Sequence, residues 1–161
     1  ISLNLGGGNI DSQIIDHVAD SFNLKIGLLT SEKLKMTVAS LYTNDKESMV
    51  INGRDITTGR PRSVAVSSAD IYEPVKVFAD KVVEYAGLIL SKLPAEVSAA
   101  IWHSGIYLSG GGAKIIGMDD YLSRALQMDI NLSDEPQMAV ILGGGRTIGY
   151  DDILATIRID Y

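Results

Sequence analysis

A chain of 161 residues, 46% of them hydrophobic, is about one domain long and carries enough apolar content for a globular core. Its 14 basic and 20 acidic residues leave a net charge of -6, and with no basic stripe and only one Trp, seven Tyr and two Phe, nucleic acid is not an expected partner. The lack of cysteine removes disulfides, thiolate metal sites and cysteine nucleophiles, and suits a reducing compartment. No apolar run approaches the roughly 18 residues that span a bilayer, and the first residues lack the layout of an export signal, so the expected location is cytoplasmic, with no membrane segment in this chain.

Ile1 to Leu5 alternates apolar and polar residues as a strand does, and Gly6, Gly7 and Gly8 end it. A helix follows, because Ile14, Ile15, Val18 and Phe22 recur at helical spacing, and Asn9 or Asp11 can cap its amino end. A second helix is predicted over 31–41, with Leu34, Val38 and Leu41 as its buried stripe and Glu32 and Lys35 together on another face. Met49 to Asn52 and Ser63 to Val66 read as a small antiparallel element, with Gly53-Arg54-Asp55 and Thr58-Gly59-Arg60-Pro61 as its connections. The longest helix comes next, tolerating Pro74 in its first turn and burying Val75, Phe78, Val82, Tyr85 and Ile89, until Pro94 starts a short helix.

Ile106 to Ser109 is a short apolar strand that runs straight into Gly110, Gly111 and Gly112 and then a helix start. Three glycines forfeit backbone entropy on ordering, so a folded chain accepts them where φ is positive or where a flat or anionic group comes close to the main chain. A helix around Asp119 to Leu126, a strand near Ile130 to Leu132 and a last helix carrying Gly143, Gly144, Gly145 and Arg146 complete an α/β pattern. Asp119, Asp120, Asp134 and Glu135 are read as helix-start acids, and His17 and His103 as surface or helix-end residues. No catalytic residue or metal ligand is assigned.

Read in order, these pieces resemble the carboxy-terminal lobe of bacterial actin-like proteins, most closely the MreB cell-shape family, from about Leu5 to Ile148. Gly7 with Asp11-Ser-Gln-Ile-Ile is similar to the family's Gly-Asp-x-x-Asp-x-x-Ile-Ile, and Asn23-Leu24-Lys25-Ile26-Gly27 to its Tyr/Asn-Leu-x-Ile-Gly. Ser31 to Lys35 resembles Ala-Glu-x-Ile-Lys, and Gly53 to Pro61 is close to Gly-Arg-Asp-Leu-x-x-Gly-x-Pro. Gly105 to Ala113 resembles Gly-Ile-x-Leu-Thr-Gly-Gly-Gly-Ala, and Pro136 and Leu142 to Arg146 resemble the Pro and Leu-Gly-x-Gly-Arg that close the family's second lobe. The chain departs from the pattern at Gly8, where aspartate is usual, at Thr37, where a carboxylate is common, and by about one helical turn between Ser68 and Glu73.

The resemblance implies an actin-like, ribonuclease H-like ATPase lobe with a small inserted α+β subdomain. The larger subdomain would comprise 1–29 and 105–161, and the smaller 30–104, with the helix over 31–41 at the nucleotide cleft. It implies ATP or ADP with Mg2+ as cofactor in the full-length protein, self-association into filaments beneath the inner membrane, and membrane-associated wall-synthesis proteins as partners. The phosphate loops of the family have no counterpart in this sequence, so the chain reads as the adenosine side of the clamp, inactive by itself. The expected nucleotide-binding residues are Gly6 and Gly7 at the sugar and phosphate, Glu32 at the ribose hydroxyls, Lys35 with its stem along the base, Gly110, Gly111 and Gly112 as the flat wall, and Lys114 at the base edge. The nucleotide domain of a heat-shock-type chaperone or sugar kinase, and an interaction module with an empty ancestral site, are the alternatives.

Overall fold

The computed structural model describes residues 5–148 together with Tyr150 and Thr156, so most of the strand expected over Ile1 to Leu5 lies outside the described residues. The elements in order are α1 (Gly7–Phe22), β1 (Leu24–Lys25), α2 (Leu28–Val38), β2 (Ser48–Asp55), β3 (Pro61–Ser67), α3 (Tyr72–Leu90), α4 (Ala95–Ser104), β4 (Ile106–Leu108), a 3-10 turn (Gly111–Lys114), α5 (Met118–Leu126), β5 (Ile130–Leu132) and α6 (Ala139–Thr147).

One buried cluster joins α1, β1, α2, the β2–β3 hairpin, α3 and the segment from Ile115 through α5. Ile10, Ile14 and Val18 form the inward stripe of α1, one turn apart, and Leu34 and Val38 do the same for α2. Both helices start earlier than the periodicity suggests. Asn9 does serve the amino end of α1, but from inside its first turn: its Oδ1 accepts from the Gly6 amide at 2.7 Å. Asp11 is not a cap. It lies further along the helix and is buried. Leu41 is buried as expected, yet it follows α2 rather than extending it, because α2 ends at Val38. Only the amino half of α3 enters the core, through Pro74, Val75, Phe78 and Ala79, and Ile89 is exposed.

The β2–β3 hairpin shows why its motif needs those residues. Gly53 and Arg54, expected in a connection, lie inside β2, where Gly53 faces β1 across an antiparallel pairing. A Cβ on Gly53 would sit 2.6 Å from the Lys25 carbonyl oxygen, so only glycine lets β1 come this close. Asp55 ends β2 and organises the turn: its Oδ1 accepts from the Thr57 and Thr58 amides at 3.1 and 2.8 Å and from the Thr58 hydroxyl at 3.0 Å, while Arg62 Nη1 holds Oδ2 at 2.8 Å. Gly59, at φ +71°, closes the reversal.

These donors, the Thr58 amide first, hold the Asp55 carboxyl below the usual carboxylate range. A lowered folded-state pKa contributes stability that is present above the unfolded value, about 3.9, and is lost as pH falls through the folded value. Asp55→Asn should therefore flatten the loss of stability on acidification below about pH 4. Acid unfolding followed by circular dichroism measures this, and equal slopes for the two proteins would contradict it.

Parallel β4 and β5 are bridged by α5, as parallel neighbours require a crossover. A second parallel contact, Ser40 with Ile116, ties the exit of α2 to the segment after the glycines. The Leu41 amide donates to the Ile116 carbonyl at 2.8 Å. This tie fixes α2 and the glycine turn as facing walls.

Candidate functional site

Between those walls lies a cleft of about 510 Å3. Gly6, Gly7 and Ile10 of the α1 entry form one end, Glu32, Lys35, Met36 and Thr37 of α2 one wall, and Gly111, Gly112, Ala113 and Lys114 the opposite wall. Phe78, Val82, Leu108, Met118 and Leu122 supply an apolar lining. Seven of the eight residues expected at a nucleotide converge here, from three separate stretches of sequence.

The glycine turn is built from backbone constraints. Gly110 takes φ +87°, which disfavours a side chain, and its amide donates to the Pro136 carbonyl at 2.6 Å. It shapes the turn from behind and does not itself line the cleft. Gly111 and Gly112 present the wall. A Cβ on Gly112 would meet the Phe78 ring at 3.5 Å, and one on Gly111 would meet Gln137 at 3.4 Å, so a Cβ at either site makes ordinary contact.

Lys35 is more constrained than its sequence position suggests. Its Nζ donates to Asp11 Oδ2 at 2.9 Å and to the Gly7 carbonyl at 3.2 Å, and the side chains of Lys35 and Asp11 are only 14% and 6% exposed. Asp11 Oδ1 also lies 2.8 Å from Nζ, but without hydrogen-bond alignment, so the pairing is electrostatic on that side. Ser31, buried, donates to the Asp11 carbonyl at 2.8 Å. One residue of α1 thus holds α2 at two points. The ammonium is set at the floor beside Gly7, and the aliphatic stem is left along the wall. Glu32 and Lys114 are exposed, and neither side chain has a hydrogen bond or ion pair among the described residues, so both are free to meet a ligand.

Asp11 as a tether, Phe78 and Met36 as lining, and Gln137 beside the glycine wall escaped the sequence reading. Asp11 carried a usable signal, because an acid at a position that helical periodicity buries needs a partner. Gln137 carried none.

A second cleft, about 520 Å3, lies between Tyr42, Tyr72, Tyr121 and Arg124 and contains none of the expected residues. Tyr42 donates to Asp120 at 2.5 Å, and that hydrogen bond raises the tyrosine's pKa. Asp119 and Asp120 occupy the first turn of α5 as read, whereas Asp134 and Glu135 precede α6 rather than open it. No group of three His, Asp or Glu is placed to hold a metal among the described residues.

The sequence model of the MreB/Mbl protein family matches residues 1–155. The chain belongs to the MreB/Mbl family. It is 34% identical over 145 residues to the cell shape-determining protein Mbl of Bacillus cereus, covering 89% of this chain and 44% of that protein. To the cell shape-determining protein MreB of Escherichia coli it is 28% identical over 153 residues, again covering 44% of that protein. The chain thus spans about half the length of the MreB and Mbl relatives it matches. Among solved structures it is similar to MreB5 of Spiroplasma citri bound to AMPPNP, with a TM-score of 0.88, 26% identity, and coverage of 96% of this chain and 47% of that one. The MamK double helical filament, at TM-score 0.71 and 17% identity over 85% of this chain and 42% of that one, shares the actin-like fold. Membership of the MreB/Mbl family sets aside the chaperone and sugar-kinase readings.

Proposed function

We propose that this chain is the adenosine-binding lobe of an actin-like ATPase whose full-length form polymerises into filaments that control cell shape and wall synthesis. The convergence of Gly6, Gly7, Glu32, Lys35, Gly111, Gly112 and Lys114 on one cleft carries the reading. The cleft suits an adenosine: a glycine wall on one face of the base, the Lys35 stem and Met36 on the other, and a carboxylate able to accept from ribose hydroxyls. Solved MreB5 with AMPPNP and with ADP supports a nucleotide as the ligand class.

Bound ATP would supply the phosphoanhydride whose hydrolysis drives the polymer. The residues here bind and orient its adenosine end, and none is assigned to Mg2+, the γ-phosphate or the attacking water. Hydrolysis is therefore proposed for the whole protein and not for this lobe, because phosphoryl transfer depends on positioned phosphates and water. The subdomain division at 30–104 is proposed on the same family likeness, although β1, from the larger part, pairs with β2 in the smaller. Among the described residues no helix is long and apolar enough to cross a membrane. A filament on the cytoplasmic side of the inner membrane that meets wall-synthesis proteins there is proposed on the family likeness alone.

Calorimetric titration of the full-length protein with ADP tests the reading. Binding is expected, and Glu32→Ala should weaken it about tenfold by removing a charged acceptor, with tripolyphosphate binding unchanged. A wild-type protein that does not take ADP would favour an assembly module with an empty cleft.

A further inference from the structure

The glycine wall has a neighbour that no motif singles out. Gln137 lies between β5 and α6, and the hydrogen bond from Gly110 N–H to the Pro136 carbonyl, 2.6 Å, pins its backbone to the turn. Its side chain lines the cleft, with Nε2 only 3.4 Å and Cγ 3.9 Å from where a Cβ on Gly111 would sit. The residue is exposed, and its carboxamide has no hydrogen bond among the described residues.

We propose that Gln137 reads the base of the nucleotide, its carboxamide oxygen accepting from the 6-amino group of an adenine laid on Gly111 and Gly112. The inference rests on the adenosine reading of the cleft. A carboxamide presents an acceptor and a donor side by side, and an adenine edge presents an amino donor beside a ring-nitrogen acceptor, so the two match in pairs. Lys114, on the same wall, can only donate and cannot recognise an amino group. Glu32 accepts, but it stands on the α2 wall. Rotation of the exposed amide exchanges oxygen and nitrogen freely, so the acceptor can face the amino group even though Nε2 lies nearer the glycine here.

The test uses full-length protein in competition binding with ATP and with purine riboside triphosphate, which is ATP without the 6-amino group. Wild type should prefer ATP by about 3- to 10-fold, Gln137→Met should bring the two ligands to within about twofold, and Gln137→Glu, which keeps the acceptor, should retain the preference. Tripolyphosphate should bind all three proteins alike, and thermal melts should coincide because the side chain is exposed. An equal preference in wild type and Gln137→Met, no preference in wild type, or loss of preference in Gln137→Glu would each overturn the assignment while leaving the cleft a nucleotide site. Failure of wild type to bind ATP at all would overturn both readings together.

Discussion

Asp11→Ala is expected to lower the stability of the lobe by about 3 kcal/mol. With Lys35 and Asp11 only 14% and 6% exposed, removing the carboxylate leaves a largely desolvated ammonium with the Gly7 carbonyl as its remaining hydrogen-bond partner among the described residues. Breaking one side of such a pair leaves a desolvated charge, whereas removing both sides does not. Asp11→Ala combined with Lys35→Met should therefore recover a large part of the loss, and urea unfolding of the two single variants and the double variant measures it. Strictly additive losses, or a single-variant effect below about 0.5 kcal/mol, would place the pair among surface ion pairs of little consequence. The consequence for the site is positional. Asp11 draws α2 onto α1 through Lys35 and Ser31, and that sets Glu32 and the Lys35 stem along the cleft.

Helices were legible in the sequence where apolar residues recur at a helical period, as in Ile14 and Val18, although the same stripe extends back to Ile10 unread, or where a proline marks an edge, as at Pro94 before α4. Their starts were misplaced where glycines open the helix, because Gly7 and Gly8 read as a loop although nothing in the backbone forbids a helix there. The hairpin was found but its register was not. Gly53 and Asp55 look like turn residues in isolation, and only the approach of β1 explains a glycine inside a strand. Two-residue β1 is too short to show any period at all. The cleft was legible because its walls are motif residues. Its apolar lining was not, because Phe78 fits the core stripe of α3 equally well, and the pairing of Asp11 with Lys35 joins positions 24 residues apart that no local pattern relates.

Gly111→Val in the full-length protein is the second large expected effect and the most direct probe of the cleft as an adenosine site. Gly111 does not adopt positive φ, and a Cβ there would make ordinary contact with Gln137, so the variant should fold with an unchanged thermal midpoint. The two γ-methyl groups would occupy the face on which the base is proposed to lie, an overpacking that costs a bound ligand about hundredfold in affinity. Tripolyphosphate, which has no base, should be unaffected. Titration of wild type and Gly111→Val with ADP, read beside their melting curves, decides the matter: the account predicts a folded variant that has lost most of its ADP affinity, and a folded variant that binds ADP as tightly as wild type would contradict it.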